Sequence, residues 1–156
     1  MTVRFACEKD IPQMNSLLTQ VKEVHRQGRP DLFKAGTNKY TDEELKEILA
    51  DDSKPIFAAV DDNDVMCGYA LCMFKEHKND NVLTDIKTLY IDDLCVDENR
   101  RGQHIGSLLF SAVKKFAAEQ GCYNVTLNVW ECNPSARAFY DSMGMTPYKT
   151  GMEVIL

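Results

Sequence analysis

No apolar run in this chain is long enough to cross a bilayer, and Met1-Thr2-Val3-Arg4 does not begin a signal-peptide pattern. A membrane-spanning or secreted protein is therefore not expected, and the reading is soluble and cytoplasmic. Positive charge is also in short supply. Lys and Arg number 18 against 24 Asp and Glu, a net charge of -6, which argues against nucleic acid as the main partner and is compatible with a cationic ligand. The six cysteines, at positions 7, 67, 72, 95, 122 and 132, lack the paired spacing of a metal site. They read as reduced small hydrophobes, and no metal is expected. Repeats, low-complexity tracts and linkers are missing as well. What is present is 156 residues with 44% hydrophobic and 27% charged content, enough for one core in one domain over residues 1–156.

Local signals order the elements. Thr2 to Ala6 reads as a strand, and Asp10 is placed to cap a helix with the buried stripe Ile11, Met14, Leu17, Leu18, Val21 and Val24. Pro12 is tolerated in its first turn and Gly28 ends it. After an irregular stretch from Arg29 to Tyr40, Thr41 and Glu44 form a capping box for a short helix carrying Leu45, Ile48 and Leu49. Pro55 to Val60 and Val65 to Phe74 are strands joined through Asp61-Asp62-Asn63-Asp64 as a hairpin. Strand, long helix, strand and helix follow between Thr88 and Met143. Met145 to Leu156 carries two short strand-like pieces around Thr150-Gly151. The order predicts an α/β sandwich with a mixed sheet.

One stretch carries more chemistry than the rest. Asp97-Glu98-Asn99-Arg100-Arg101-Gly102-Gln103-His104-Ile105-Gly106-Ser107 follows an apolar strand and opens into a helix with Ile105, Leu108, Leu109, Ala112, Val113, Phe116 and Ala117 at helical spacing. Gly102 and Gly106 let the backbone approach a ligand, the arginines add positive charge, and the first-turn N–H groups point outward, so an anion is the expected ligand. The bland alternative is a solvated basic turn that caps a helix. A Walker loop is excluded because the stretch has no lysine, and a dinucleotide fingerprint because it has two glycines rather than three.

The preceding strand changes phase. Leu89 and Ile91 keep one alternation while Leu94 and Val96 keep the other, a slip of one residue at Asp92-Asp93 that predicts a β-bulge. The next strand, with Tyr123, Val125, Leu127 and Val129 in one phase, shows no slip, so the two strands should splay apart. The simpler alternative is that two adjacent aspartates mark an exposed strand end. Further on, Asn133-Pro134-Ser135-Ala136-Arg137-Ala138-Phe139-Tyr140-Asp141-Ser142-Met143-Gly144 is a helix bounded by its own N-cap, first-position proline and terminal glycine.

These two motifs, in this order, resemble those of the GNAT superfamily of CoA-dependent N-acyltransferases, whose pyrophosphate loop reads Arg/Gln-x-x-Gly-x-Gly/Ala. Here it is Arg101-Gly102-Gln103-His104-Ile105-Gly106, with His104 in place of the first motif glycine. The later run resembles Asn-x-x-Ala-x-x-Phe-Tyr-x-x-x-Gly-Phe, with Met145 where an aromatic is usual. The resemblance implies a three-layer α/β sandwich whose mixed, mostly antiparallel central sheet is splayed between the fourth and fifth strands. It implies acetyl-CoA as co-substrate, bound by the backbone of Leu94, Cys95 and Val96, by Arg101, Gly102, Gln103, His104, Ile105, Gly106 and Ser107, and by Asn133, Ala136 and Tyr140. A homodimer is compatible with it.

Acetyl transfer to an amine needs a base, because an alkylammonium has a pKa near ~10.4. Asp92 and Asp93 are placed for it, and Asp92 falls where polyamine acetyltransferases of this family carry a carboxylate; Glu131 is the alternative. An N–H freed near Val96 would stabilise the thioester oxygen. By resemblance Tyr140 returns a proton to the departing thiolate. Cys95 and Cys132 could accept an acyl group, but packing is the stronger reading for both, and His25 and His77 receive no role. The expected acceptor is a small-molecule amine, with a protein N-terminus or lysine as the second choice. A non-catalytic acyl-CoA sensor is the reading from outside enzymology.

Overall fold

The computed structural model describes residues 1–36 and 38–156. In chain order it contains β1 (Thr2–Phe5), α1 (Ile11–Gly28), α2 (Asp42–Leu49), β2 (Ile56–Val60), β3 (Met66–Glu76), β4 (Lys87–Val96), α3 (Ile105–Glu119), β5 (Asn124–Leu127) and α4 (Pro134–Ser142). The sheet runs β1-β2-β3-β4-β5, antiparallel throughout except for the parallel pair β4 and β5.

Helices cover both faces, which is why β2 is a continuous apolar run, Ile-Phe-Ala-Ala-Val, buried at every position. Ile56, Ala58 and Val60 pack with Met14, Leu17 and Leu18 of α1 and Leu45 of α2. Phe57 and Ala59 pack on the opposite face with Ile105, Leu109, Val113 and Ala117 of α3. The α3 residues form a single row spaced by four along the helix. Leu108 was expected in that stripe but is 39% exposed, because it lies about 100° around the helix from the row that meets the sheet.

Several local signals are realised as read. Thr41 and Glu44 cap α2 reciprocally, at 3.1 Å from Glu44 N to Thr41 Oγ1 and 2.8 Å from Thr41 N to Glu44 Oε2. The β2–β3 hairpin closes through Asp61, whose carboxylate accepts from the N–H groups of Asn63 and Val65. Asp10 behaves differently from the expectation. It precedes α1 but makes no side-chain cap there; its carboxylate accepts from Cys7 N at 2.8 Å and takes a bidentate pair from Arg4, at 2.7 and 2.9 Å. Arg4 comes from β1, so a competing partner from the sheet outweighs the local cap.

The C-terminal expectation is not met. Residues 145–156 form no strand, and β5 is four residues long rather than extending to Val129. No helix among the described residues is long and apolar enough to cross a membrane.

Candidate functional site

The β4 strand is bulged where its hydrophobic phase slips. Leu71 of β3 pairs with Asp93 and Cys72 pairs with Ile91, leaving Asp92 as the extra residue. The slip lets Leu89, Ile91, Leu94 and Val96 all pack on the α3 side of the sheet although their spacing changes parity. On its other edge β4 pairs with β5 only from Thr88 to Ile91. From Asp92 to Val96 that edge has no strand beside it among the described residues, so the sheet opens at the bulge.

Both aspartates turn to one cation. Lys39 Nζ, from the segment between α1 and α2, donates to Asp92 Oδ2 at 2.8 Å and to Asp93 Oδ2. Tyr40 donates its hydroxyl to Asp92 Oδ2 at 3.3 Å. The Asp93 side chain is only 10% exposed; burial pushes its carboxyl above the usual range, with the negative charge of Asp92 adding to this and Lys39 pulling it back. Burial alone would lower the Lys39 ammonium, but the two carboxylates overcome this and hold it well above an ordinary lysine. Lys39 and Tyr40 were not singled out from the sequence. No motif marks them, because a residue in an irregular segment meets a strand only through the path of the chain.

Two buried tyrosines feel the charge of the Asp93 carboxylate. Tyr69 of β3 is completely buried, and its hydroxyl finds no hydrogen-bond partner among the described residues. Burial, and after it the charge of Asp93, keep it protonated. Tyr140 of α4 stacks with Phe139 and Phe110 at ring-centroid separations of 5.2 and 6.4 Å. Burial raises its phenol above the ordinary value, and the charge of Asp93 acts in the same direction. A phenol held protonated in this way can donate a proton.

The loop before α3 presents its backbone outward. No described residue accepts from the N–H groups of Gly102, Gln103 or His104, and those of Ile105, Gly106 and Ser107 lie in the first helical turn, where no intrahelical acceptor exists. Gly102 takes φ +78° and His104 takes φ +59°, both left-handed. The second explains why the GNAT motif prefers glycine at this position, since a Cβ is strained there. Gly106 has a different reason for being glycine. A Cβ there would lie 3.2 Å from the Phe139 ring, so its absence lets α4 pack against the first turn of α3. Arg100 pairs with Asp61 at 3.3 Å, whereas Arg101 is exposed with no ion pair among the described residues.

The α4 helix is bounded by its own residues. Asn133 Oδ1 accepts from Ala136 N at 3.2 Å and from Ser135 Oγ at 3.0 Å. Gly144, at φ +83°, reverses the chain so that Met145 N donates to Tyr140 O and Gly144 N to Asp141 O, a Schellman closure. Tyr140 is thereby held at both ends, by its ring contacts and by its carbonyl.

Other expected participants are placed elsewhere. Glu131 is exposed, without a charged partner among the described residues. The Cys95 thiol is buried, donates to Leu17 O at 3.3 Å and is pushed up by burial to about 12. Cys132 sits where any Cβ on Gly28 would collide with it, at 2.5 Å. His25, which no sequence motif marks, packs tilted against Phe33 at 5.3 Å and Trp130 at 6.3 Å between ring centroids, forming an aromatic wall near Lys39. No group of three or more metal-binding side chains occurs among the described residues.

The open sheet at a bulged strand and the outward N–H groups at the adjoining helix match the arrangement that the GNAT resemblance implies. The acetyltransferase (GNAT) family matches residues 19–145, and the chain belongs to that family. It is 34% identical over 65 residues to glucosamine 6-phosphate N-acetyltransferase of Candida albicans, a match spanning 42% of this chain and 40% of that enzyme. Its fold superposes with a TM-score of 0.96 on a crystal structure of a mutant of the BH1408 protein from Bacillus halodurans, at 31% identity, covering 100% of this chain and 99% of the other. An aminoglycoside N-acetyltransferase in complex with CoA shares the fold at 15% identity and a TM-score of 0.73, covering 99% and 98% of the two chains.

Proposed function

We propose that this protein transfers an acetyl group from acetyl-CoA to a primary amine of a small cationic molecule, by direct attack in a ternary complex. The observation that carries the acceptor assignment is the Lys39 ammonium held between Asp92 and Asp93. A site that already binds one alkylammonium has the charge and geometry to bind another. Two of the three named relatives support the reading, since one is named for an amino sugar phosphate and the other for aminoglycosides.

The residues divide the work as follows. Asp92, at the bulge, takes the proton that the attacking ammonium must lose, directly or through a water. Asp93 holds the cation beside it. The unpaired N–H groups of Gly102 to Ser107, together with Arg101, receive the pyrophosphate of acetyl-CoA, and the free edge of Leu94, Cys95 and Val96 lies along its pantetheine arm. An N–H at Val96 stabilises the oxygen of the carbonyl under attack. Tyr140 protonates the departing thiolate, and Asn133 and Ala136 anchor the helix that carries it. Cys95 is a poor acyl acceptor because its thiol is held protonated by burial. This chemistry suits a cytoplasmic protein.

A panel of polyamines, aminoglycosides, amino sugars and peptides, assayed for CoA release, tests the assignment. Turnover of small cationic amines with intersecting initial-rate lines is expected. Turnover confined to peptides would move the acceptor to a protein, and tight acetyl-CoA binding without turnover would favour a sensor.

A further inference from the structure

Lys39 occupies the place that the proposed reaction assigns to the acceptor's nitrogen. Its Nζ donates to Asp92 Oδ2 at 2.8 Å and to Asp93 Oδ2, so it touches both the carboxylate that takes the proton and the one that holds the cation. No other cation among the described residues pairs with either aspartate. The lysine does not arrive there on a loose tether. Tyr40, the next residue, packs against the core cluster of Leu45 and Tyr69, donates to the same Asp92 oxygen at 3.3 Å and sets its ring centroid 5.3 Å from the Lys39 ammonium. Thr41 then caps α2. Asp93 also bears on the buried Tyr140 phenol, so amine, base and proton donor have one carboxylate as a common neighbour.

We infer that Lys39 is a site of self-acetylation: with no amine bound, the protein acetylates the Nζ of its own Lys39 from acetyl-CoA. The inference rests on the proposed acetyl transfer. The Lys39 ammonium gives one proton to Asp92, and its nitrogen lone pair attacks the thioester carbonyl carbon, so that a C–N bond forms and the C–S bond breaks. The departing thiolate takes a proton from Tyr140, which the nitrogen's second proton restores as the amide forms. Each chain releases one CoA thiol and one proton. Attachment of the nucleophile to the chain makes the step unimolecular.

The product changes the site. Acetyl-lysine carries no charge, so both carboxylates lose their cation and open to an external ammonium. Unmodified Lys39 is a standing competitor of the acceptor, and acetylated Lys39 is not. Uncatalysed acetylation would choose other residues, because it favours amines that are exposed and easily deprotonated. The Lys115 side chain is 79% exposed against 37% for Lys39, whose ammonium, despite burial, the two aspartates hold protonated. Labelling of Lys39 ahead of Lys115 therefore distinguishes catalysis from chemical background.

Incubation of the full chain with acetyl-labelled acetyl-CoA and no amine, followed by intact mass measurement and peptide mapping, tests this. The expected result is one acetyl per chain at Lys39, formed at a rate that is independent of protein concentration and rises with pH. Lys39→Arg should remove that label, and Tyr140→Phe should slow it to the rate of Lys115. The labelled protein should then show a KM for cationic amines about fivefold lower than before, as the loss of an ion pair of ~1 kcal/mol requires. Lys39 left unlabelled in a protein that turns over external amines would overturn the inference alone, and so would equal labelling of Lys39 in Tyr140→Phe. Acetyl-CoA binding with neither Lys39 nor any amine acetylated would overturn the proposed transfer with it.

Discussion

Lys39 and Asp92 lie 53 positions apart in the chain and meet at 2.8 Å on the bulge of β4. The contact places a permanent cation where the acceptor's ammonium is proposed to bind, so the two compete for one pair of carboxylates. Replacing Lys39 with methionine keeps much of its apolar stem and removes the charge. KM for a cationic amine is expected to fall by about fivefold, the equivalent of ~1 kcal/mol for a half-exposed ion pair. Without Lys39, burial and the neighbouring Asp92 raise the Asp93 carboxyl further, so the acid limb of the kcat/KM profile should move to higher pH. An unchanged KM and an unmoved acid limb would separate Lys39 from the acceptor site.

Tyr140→Phe removes one hydroxyl and leaves the contacts with Phe110 and Phe139 in place. Turnover on a competent amine is expected to fall by roughly 100-fold or more, with acetyl-CoA affinity and thermal stability nearly unchanged. Asp92→Asn should instead make activity depend on the free-amine fraction, recovering in part at high pH. Steady-state rates across pH, with acetyl-CoA binding measured by calorimetry, separate the two roles. Wild-type rates in both variants, with chemistry limiting, would remove these assignments.

Gly106 and His104 give opposite expectations. Gly106→Val places atoms where the Phe139 ring lies 3.2 Å from a bare Cβ, so α4 must shift. A stability loss of about 1–3 kcal/mol and weaker acetyl-CoA binding should follow together. His104→Gly relieves a left-handed residue and should raise stability by about 1 kcal/mol while keeping the outward N–H groups. Urea unfolding and acetyl-CoA titration of both variants check this. Loss of binding in His104→Gly would show that the imidazole itself holds the ligand.

Asp10 is 3% exposed and paired with Arg4. Burial by itself would raise its carboxyl, but Arg4 and the Cys7 N–H outweigh this and hold it below the usual value. A depressed carboxylate contributes stability that is present above the unfolded value near ~3.9 and is lost as pH falls through the folded one. Asp10→Ala is expected to destabilise by about 2 kcal/mol at pH 7, below the range for fully buried pairs because Arg4 is partly exposed. The gap from wild type should shrink toward pH 3. Urea titrations at the two pH values measure it, and an equal gap at both would contradict the pairing argument.

What the amino-acid sequence determined by itself is whatever depends on neighbours within a few positions. The Thr41–Glu44 cap, the Asn133 and Gly144 ends of α4 and the Asp61 hairpin are interactions of short range, so the residues that make them are also the residues that announce them. The bulge at Asp92 was legible for a related reason, since a one-residue slip in a two-residue period leaves a visible change of phase. The glycine-bearing loop before α3 belongs to the same class.

Only the tertiary structure decided the contacts whose partners come from distant segments. Arg4 draws Asp10 away from the helix it was placed to cap, and Lys39 reaches the aspartates from a stretch with no periodicity. The orphaned hydroxyl of Tyr69 and the wall of His25, Phe33 and Trp130 arise in the same way. Leu108 looked like core because helical spacing locates an apolar face only to within a wide arc, whereas the sheet selects one row within it. The terminal segment shows the limit most plainly. Residues 146–156 have strand-like patterning, but a strand exists only where another backbone supplies its hydrogen bonds, and none among the described residues does so.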